Sequence, residues 1–347
     1  MLRRDFVRSA VAAASAPAVQ AQRPRRNLVF IVADDHRYDM IGALGHPWLK
    51  GHTPGLDRLV AGGVTFRNAF VTTSLCSPSR ASILTGRYMH AHGVTDNFSP
   101  LNPSLPVFPK LLQQHGYRTG FFGKWHMGGD GDEPQPGFNE WLSFRGQGEY
   151  VNPELNRNGV RSRRQGFMTE VLTDEAVRFI NAKNGQPFCL YLSHKAVHAP
   201  FMPLERHADL FRGLEVPKPL SMNHREEFYE QWPEWVRKRR LTRHGVDGPL
   251  GTDGPFEELY RKYCQCLVGI DESVARVISE LERLRMLDDT LVIYMGDNGY
   301  MWGEHGLIDK RTMYESSMRV PMIAHCPSMF RGGRSVDDMA LNLDIGP

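Results

Sequence analysis

The 347-residue chain is short of cysteine, carries no surplus of charge of one sign, and has no long apolar run. Its five cysteines, Cys76, Cys189, Cys264, Cys266 and Cys326, are too few and too scattered for a disulfide scaffold. Cys264 and Cys266 fall in a helical pattern, where positions i and i+2 do not face each other, which argues against a metal pair there. With 42 basic and 39 acidic residues the net charge is +3, so composition implies no nucleic-acid partner. The run "RKRR", Arg237 to Arg240, reads as a solvated surface segment. No segment is apolar for long enough to make a stable membrane span. Internal repeats and low-complexity blocks are also missing, and a chain of this length is compatible with one large α/β unit.

What is present begins with "MLRRDFVRSAVAAASAPAVQA". Paired arginines, Arg3 and Arg4, precede a short Ala/Val run, and the small residues Val19 and Ala21 suit cleavage. Residues 1–21 therefore resemble a twin-arginine export signal, and the expected location is exported, periplasmic or extracellular. Residues 22–347 form the expected catalytic domain.

"NLVFIVADD" reads as a buried strand with acidic residues at its carboxyl end. "TPGLDRLVAGG" follows as a short helix, with Thr53 as cap, Pro54 in the first turn and Gly62 at the stop. Further strands are expected at "TGFFGK", "PFCLYLSH", "TLVIYMGDN" and "VPMIAHCP". Helical patterns cover Val107 to His115, Thr169 to Ala182 and Phe256 to Leu287. This alternation predicts a mostly parallel sheet covered on both faces. The Gly-, Pro- and charge-rich stretches from about Asp130 to Arg164 and Pro200 to Pro255 are expected to be long loops over one end of the sheet.

The chemistry-bearing residues sit at the ends of the expected strands, where open α/β sheets bind ligands. Asp34, Asp35, Asp297 and Asn298 make an all-oxygen set suited to a hard cation such as Ca²⁺ or Mg²⁺. The alternative for each pair is helix capping. Adjacent strand residues point to opposite faces, so Asp34 and Asp35 can share an ion only if the chain turns there. Lys124, His126, His198 and Lys310 supply positive charge and proton donors of the kind that hold an anion and protonate a leaving group. His90, His92, His115, His207 and His224 read as solvated. In "SLCSPSRASILTGR", Ser77 is the expected cap, Pro78 suits the first turn and Gly86 the stop. Cys76, beside helix-end N–H groups, is either an activated thiolate or a small buried thiol. A phosphatase-type thiolate loop needs Arg six positions after the cysteine, and that position holds Ser82.

"CSPSRASILTGR" resembles the signature of the type I sulfatases, and "GKWHMG", "AVHAP" and "GDNG" match that family's other blocks in order. The similarity runs from about Asn27 to the last residue. It implies an alkaline-phosphatase-like α/β/α sandwich with a mostly parallel mixed sheet. It implies that a formylglycine-generating maturation enzyme oxidises Cys76 to Cα-formylglycine, whose aldehyde hydrates to a gem-diol. One hydroxyl would attack sulfur and expel the alcohol; the second would lose a proton so that sulfate leaves. The resemblance assigns Asp34, Asp35, residue 76, Asp297 and Asn298 to Ca²⁺, with Mg²⁺ possible in its place. It assigns Arg80 to the formylglycine, His126 to the gem-diol proton, Lys124 and Lys310 to the sulfate oxygens, and His198 to protonating the leaving oxygen.

The wider resemblance of "FFGKWHMGGDGDEPQPGFNEWLSFRGQGEY" and "SHKAVHAPF" is to N-acetylglucosamine-6-O-sulfatase-like members. A sulfated carbohydrate, such as 6-O-sulfated N-acetylglucosamine of glycosaminoglycans or mucin, is the implied substrate. A phosphonate or phosphate diester hydrolase sharing the formylglycine site, and a catalytically silent relative, are the alternatives. At "LNLDIGP" Asp344 is an expected cap and Pro347 an expected helix opening. Relatives continue from such a segment into a small C-terminal subdomain, so the expectation is a catalytic domain truncated at its C-terminal end.

Overall fold

A computed structural model describes residues 25–182, 185–223, 230–242, 244–247 and 255–346. The expected export signal, His224 and Pro347 lie outside the described residues. Ten strands form one sheet, in the order β12-β2-β11-β8-β1-β7-β3-β4-β5-β6. Its centre is β1 (Asn27–Ala33), flanked in parallel by β7 (Phe188–Ser193) and β8 (Thr290–Gly296). β3 (Arg118–Gly123) and β4 (Glu140–Ser143) continue the parallel run beyond β7. β5 (Glu154–Arg157) and β6 (Val160–Arg163) extend it as an antiparallel hairpin. On the other side β11 (Met322–His325) is antiparallel to both β8 and β2 (Val64–Phe70), and β12 (Arg334–Leu341) runs parallel to β2 at the edge. β9 (Met301–Trp302) and β10 (Ile308–Asp309) make a separate small hairpin.

The centre of the sheet is buried on both faces, and β1 alternates its side chains between two cores. Val29, Ile31 and Ala33 pack with α1 (Pro54–Gly62), α4 (Met168–Asn181) and α6 (Phe256–Arg283). Phe30 and Val32 pack on the opposite face with α2 (Cys76–Thr85) and α3 (Phe108–Gln114). The result is the expected mixed α/β sandwich. A glycine is required at the end of β3, where a Cβ on Gly123, at φ +127°, would lie 1.7 Å from the Ser193 carbonyl oxygen. That close approach lets Lys124 N–H bond Ser193 O at 2.8 Å and fixes where the Lys124 side chain starts.

Several expectations are corrected. The stretch from Asp130 to Arg164 holds β4, β5 and β6, whose short polar segments are paired by the sheet. "VPMIAHCP" forms a strand, but an antiparallel one. Ser77 is no cap: α2 starts at Cys76 from an extended Leu75, and the Ser77 hydroxyl donates to His126 O at 2.9 Å. Gly86, at φ +63°, does end that helix. Thr53 precedes α1 without capping it; its hydroxyl bonds Gly42 N–H and Asp57, and the helix runs through Gly62. "RKRR" ends α5 (Glu234–Arg240), and Arg239 turns inward to donate to Lys310 O at 2.9 Å. His92 and His207 are buried, not solvated: His92 bonds Ser82 and His207 bonds Glu272. Asp344 caps only a 3-10 turn, Asn342–Ile345, by accepting the Leu341 N–H at 2.8 Å.

Candidate active site

Strand β1 ends at Ala33, and Asp34 and Asp35 continue from it. Asp35 adopts a left-handed φ of +59°, which supplies the turn that two adjacent carboxylates need in order to face one site. Its N–H bonds Asp297 Oδ1 at 3.0 Å, and its carbonyl accepts the Tyr263 hydroxyl at 2.7 Å. Asp34 is tied to the end of β7, because its N–H bonds Ala196 O at 2.9 Å and its carbonyl accepts Val197 N–H at 2.8 Å. Asp297 follows β8, with its N–H on Ala33 O. The parallel pairing of β1 with its two neighbours thus brings together three polar segments distant in the sequence.

α2 brings Cys76 and Arg80 into the same place. Arg80 Nε donates to Asp297 Oδ2 at 2.8 Å, and its Nη1 to Lys124 O at 2.7 Å. Cys76 Sγ lies 3.5 Å from Asp34 Oδ1 and 3.1 Å from Lys310 Nζ. Lys124 pairs with Asp34, and Lys310 with Asp35. His198 Nε2 is 4.0 Å from Asp35 Oδ2, while its Nδ1 is 2.6 Å from Ala199 O. A carbonyl only accepts, so Nδ1 carries the proton in neutral His198. Asp34, Asp35, Cys76, Arg80, Lys124, His126, Asp297, Asn298 and Lys310 are all buried, and His198 is partly so.

Burial of so many charges decides the electrostatics. Burial opposes ionisation of Asp34, but Lys124, His198, Lys310 and Arg80 outweigh it and hold the carboxyl well below its usual range. Asp35 is pushed up to about 7, by burial above all, with Asp34 and Asp297 adding repulsion that Lys310 only partly offsets. Asp297 is raised for the same reasons. Burial, helped by Asp34, pushes the Cys76 thiol up to about 12. Cys76 is therefore a neutral thiol at pH 7, and the thiolate reading fails on charge as well as on motif. Burial and the nearby lysines hold both His126 and His198 well below the ordinary histidine value.

The oxygen set fits a divalent cation. Carboxylate oxygens of Asp34, Asp35 and Asp297 lie within 4.8 Å of one another. Two ligands about 2.4 Å from one Ca²⁺ can be no farther apart than about 4.8 Å. Asn298 donates through Nδ2 to Asp35, which leaves its Oδ1 buried without a hydrogen-bond partner among the described residues. An orphaned carbonyl oxygen beside three crowded carboxylates is the donor chemistry of a hard-cation site.

Sequence reasoning missed three neighbours. Gln147 accepts from Lys124 Nζ at 2.6 Å and reaches His126 Nε2 at 3.1 Å. Tyr150 bonds His198 O at 2.7 Å. Lys195 is buried with its ammonium 4.4 Å from the Tyr150 ring centre, and burial, with Lys124, lowers it to about 8. Gln147 and Tyr150 lie in a stretch that reads as a loop, and Lys195 is one residue of a strand-end motif whose histidine draws attention first.

Among known proteins, the sulfatase family profile matches residues 26–345. An N-acetylglucosamine-6-O-sulfatase of Bacteroides thetaiotaomicron is 31% identical over 98% of this chain and 70% of its own length. An N-acetylglucosamine-6-sulfatase of Capra hircus is 30% identical over 96% of this chain, which spans only 61% of that relative. A solved structure described as a complex with its substrate, D-glucosamine-2-N,6-O-disulfate, superposes with a TM-score of 0.80 at 29% identity, covering 92% of this chain and 75% of that one. With the profile spanning nearly all of the described residues, the chain belongs to the sulfatase family.

Proposed function

We propose that this protein hydrolyses the sulfate ester of a sulfated carbohydrate, of which a 6-O-sulfated glucosamine is the leading candidate. One observation carries the reading: Lys124, Lys310 and Arg80 are buried around Cys76 and three carboxylates, at the end of the parallel strands. The relatives' names and the disulfated glucosamine bound by a structural neighbour support the substrate class.

Lys124 and Lys310 are the groups to hold the sulfate oxygens, and their burial strengthens such charged contacts. Arg80 fixes Asp297 and the backbone of Lys124, so it orients the walls of the site. Asp34, Asp35, Asp297 and Asn298 are the residues to hold Ca²⁺ or Mg²⁺, and such an ion, when bound, would offset the carboxylate charge and polarise a sulfate oxygen. Conversion of Cys76 to Cα-formylglycine would supply a hydrated aldehyde as nucleophile where the thiol is inert. His126 is the proposed acceptor of the gem-diol proton, and Gln147 links it to Lys124. His198 is placed to protonate the leaving oxygen through Nε2, because Nδ1 is committed to Ala199 O. Burial above all keeps His198 neutral, with repulsion from Lys124 and Lys310 adding to it, and an anionic ester between the lysines would offset that repulsion.

Residues 1–21 are proposed to direct export. No helix among the described residues is long and apolar enough to cross a membrane. The test is turnover by protein co-produced with a formylglycine-generating enzyme. Release of sulfate from glucosamine 6-sulfate and from an aryl sulfate, with slower cleavage of an aryl phosphonate, supports the proposal. Faster phosphonate cleavage would make it a phosphonate hydrolase, and no turnover of any would leave a binding protein.

A further inference from the structure

Gln147 sits between two of the proposed catalytic groups and is assigned no role by the motifs. It lies in the β4–β5 connection, flanked by Gly146 at φ +52° and Gly148 at φ +64°. A Cβ on Gly148 would meet the Phe144 ring at 2.5 Å, so the loop packs on Phe144 too closely for a side chain there and projects the amide of residue 147 from a fixed base. The amide makes two contacts, 2.6 Å from Oε1 to Lys124 Nζ and 3.1 Å from Nε2 to His126 Nε2.

These contacts leave one consistent assignment of protons. An ammonium has donors and no acceptor, so the carbonyl end of the amide must face Lys124. The NH₂ end then faces His126, where an N–H donor needs a lone pair. His126 Nε2 is therefore unprotonated, and the proton of the neutral ring is on Nδ1. His126 Nδ1 is buried and has no other hydrogen-bond partner in the described structure, so nothing on that side of the ring opposes the assignment. The ring's position is set independently, because the His126 carbonyl accepts the Ser77 hydroxyl and its backbone takes φ +67°.

We infer that Gln147 is a positioning residue, which directs the Lys124 ammonium and sets the tautomer of His126 by holding the Nε2 lone pair in a hydrogen bond that the amide releases when Nε2 takes up a proton. Burial together with the Lys124 charge keeps the ring neutral, which is the form in which a tautomer matters. The consequence for turnover rests on the sulfatase reading; the tautomer itself does not.

The informative variant is Gln147→Glu, which keeps an acceptor for Lys124 but offers His126 only acceptors, so Nε2 must become protonated. Gln147→Leu removes both contacts. Long-range ¹H–¹⁵N correlation spectra of ¹⁵N-histidine-labelled protein, with His126→Asn identifying the His126 signals, should show the Nδ1–H tautomer in the wild type and a protonated Nε2 in Gln147→Glu. In matured protein with an aryl sulfate, Gln147→Glu should lower kcat by about a hundred-fold or more, the range of a misprotonated acid–base group, with a much smaller change in KM. A wild-type Nε2–H tautomer, an unchanged tautomer in Gln147→Glu, or wild-type kcat in that variant would each overturn the inference. An inactive wild type with the predicted tautomers would overturn the sulfatase reading alone.

Discussion

Asn298 and Asp35, 263 residues apart in the chain, are joined side chain to side chain, and the bond leaves Asn298 Oδ1 buried and without a partner among the described residues. Their juxtaposition is a product of the β1–β8 pairing, which sets Ala33 opposite Gly296 and carries both polar ends forward together. Removing the orphaned oxygen tests the cation site with the least disturbance. Asn298→Ala should weaken Ca²⁺ binding by isothermal calorimetry and shrink the thermal stabilisation that Ca²⁺ gives the wild type, which is about 2.7 kcal/mol at a hundred times Kd. Asp297→Ala should abolish binding and also remove the carboxylate paired with Arg80, whose bond to Lys124 O and nearby Asp34 remain. Undiminished Ca²⁺ affinity in both variants would reject the site.

Activity should depend on chemical conversion of Cys76, because the buried thiol is neutral at pH 7. Co-production with a formylglycine-generating enzyme should lower the mass of the peptide containing Cys76 and raise turnover in proportion to the converted fraction. Cys76→Ala should have none. Full turnover by protein whose Cys76 mass is unchanged would sink this mechanism.

His198 should matter in proportion to how poor the leaving group is. A positioned acid contributes about a hundred to ten thousand-fold. His198→Ala should lose that on a sugar sulfate, whose alkoxide leaves badly, and far less on a nitrophenyl sulfate. Equal losses on both would mean that His198 binds sulfate instead.

His46 and His194 should each cost stability as pH drops from 7 towards 4, while Asp35, raised to about 7, contributes with the opposite sign. Burial lowers His46 to about 4 and His194 to about 3, whereas an unfolded histidine titrates near 6.5. Between those values each histidine binds more protons in the unfolded chain, so its contribution to unfolding free energy rises with pH in this window and is lost on acidification. Each group accounts for on the order of 3 kcal/mol at most. Between pH 7 and pH 5, His194→Gln should lose less thermal stability on acidification than the wild type; an identical pH dependence in the variant would remove His194 from the explanation.

The signature helix should be anchored by Asn342. Its Nδ2 donates to Ser79 Oγ at 2.9 Å and Ser79 O at 3.2 Å, and its Oδ1 accepts Thr72 N–H at 3.1 Å; Asn342 and Ser79 are fully buried and Thr72 partly so. Asn342→Ala leaves those groups unsatisfied and should cost roughly 2–4 kcal/mol in urea unfolding. A loss below about 0.5 kcal/mol, the size typical of a surface substitution, would contradict this.

The legible strands were those whose own residues are apolar enough to be buried on both faces: β1, β3, β7, β8 and most of β11. β2, β5, β6 and β12 were not, since "VTFRNAF", "ELNR", "VRSR" and "RSVDDMAL" mix polar and apolar residues and become strands only by pairing with a neighbour. The polar strand ends were legible as residue types. Their geometry was not.

By itself the sequence determined the alternation of apolar strands and helices, and hence a covered, mostly parallel sheet, together with the inventory of acids, bases and one cysteine at the strand ends. Tertiary structure decided how that inventory is used. The left-handed turn at Asp35 brings two neighbouring carboxylates into one site, and no local pattern encodes it. Burial makes Cys76 a neutral thiol and His198 a neutral imidazole, because removing water penalises whichever form carries the charge. Ser77, read locally as a cap, instead spends its hydroxyl on the His126 carbonyl, since an α2 buried along its whole length must find its polar partners across the fold.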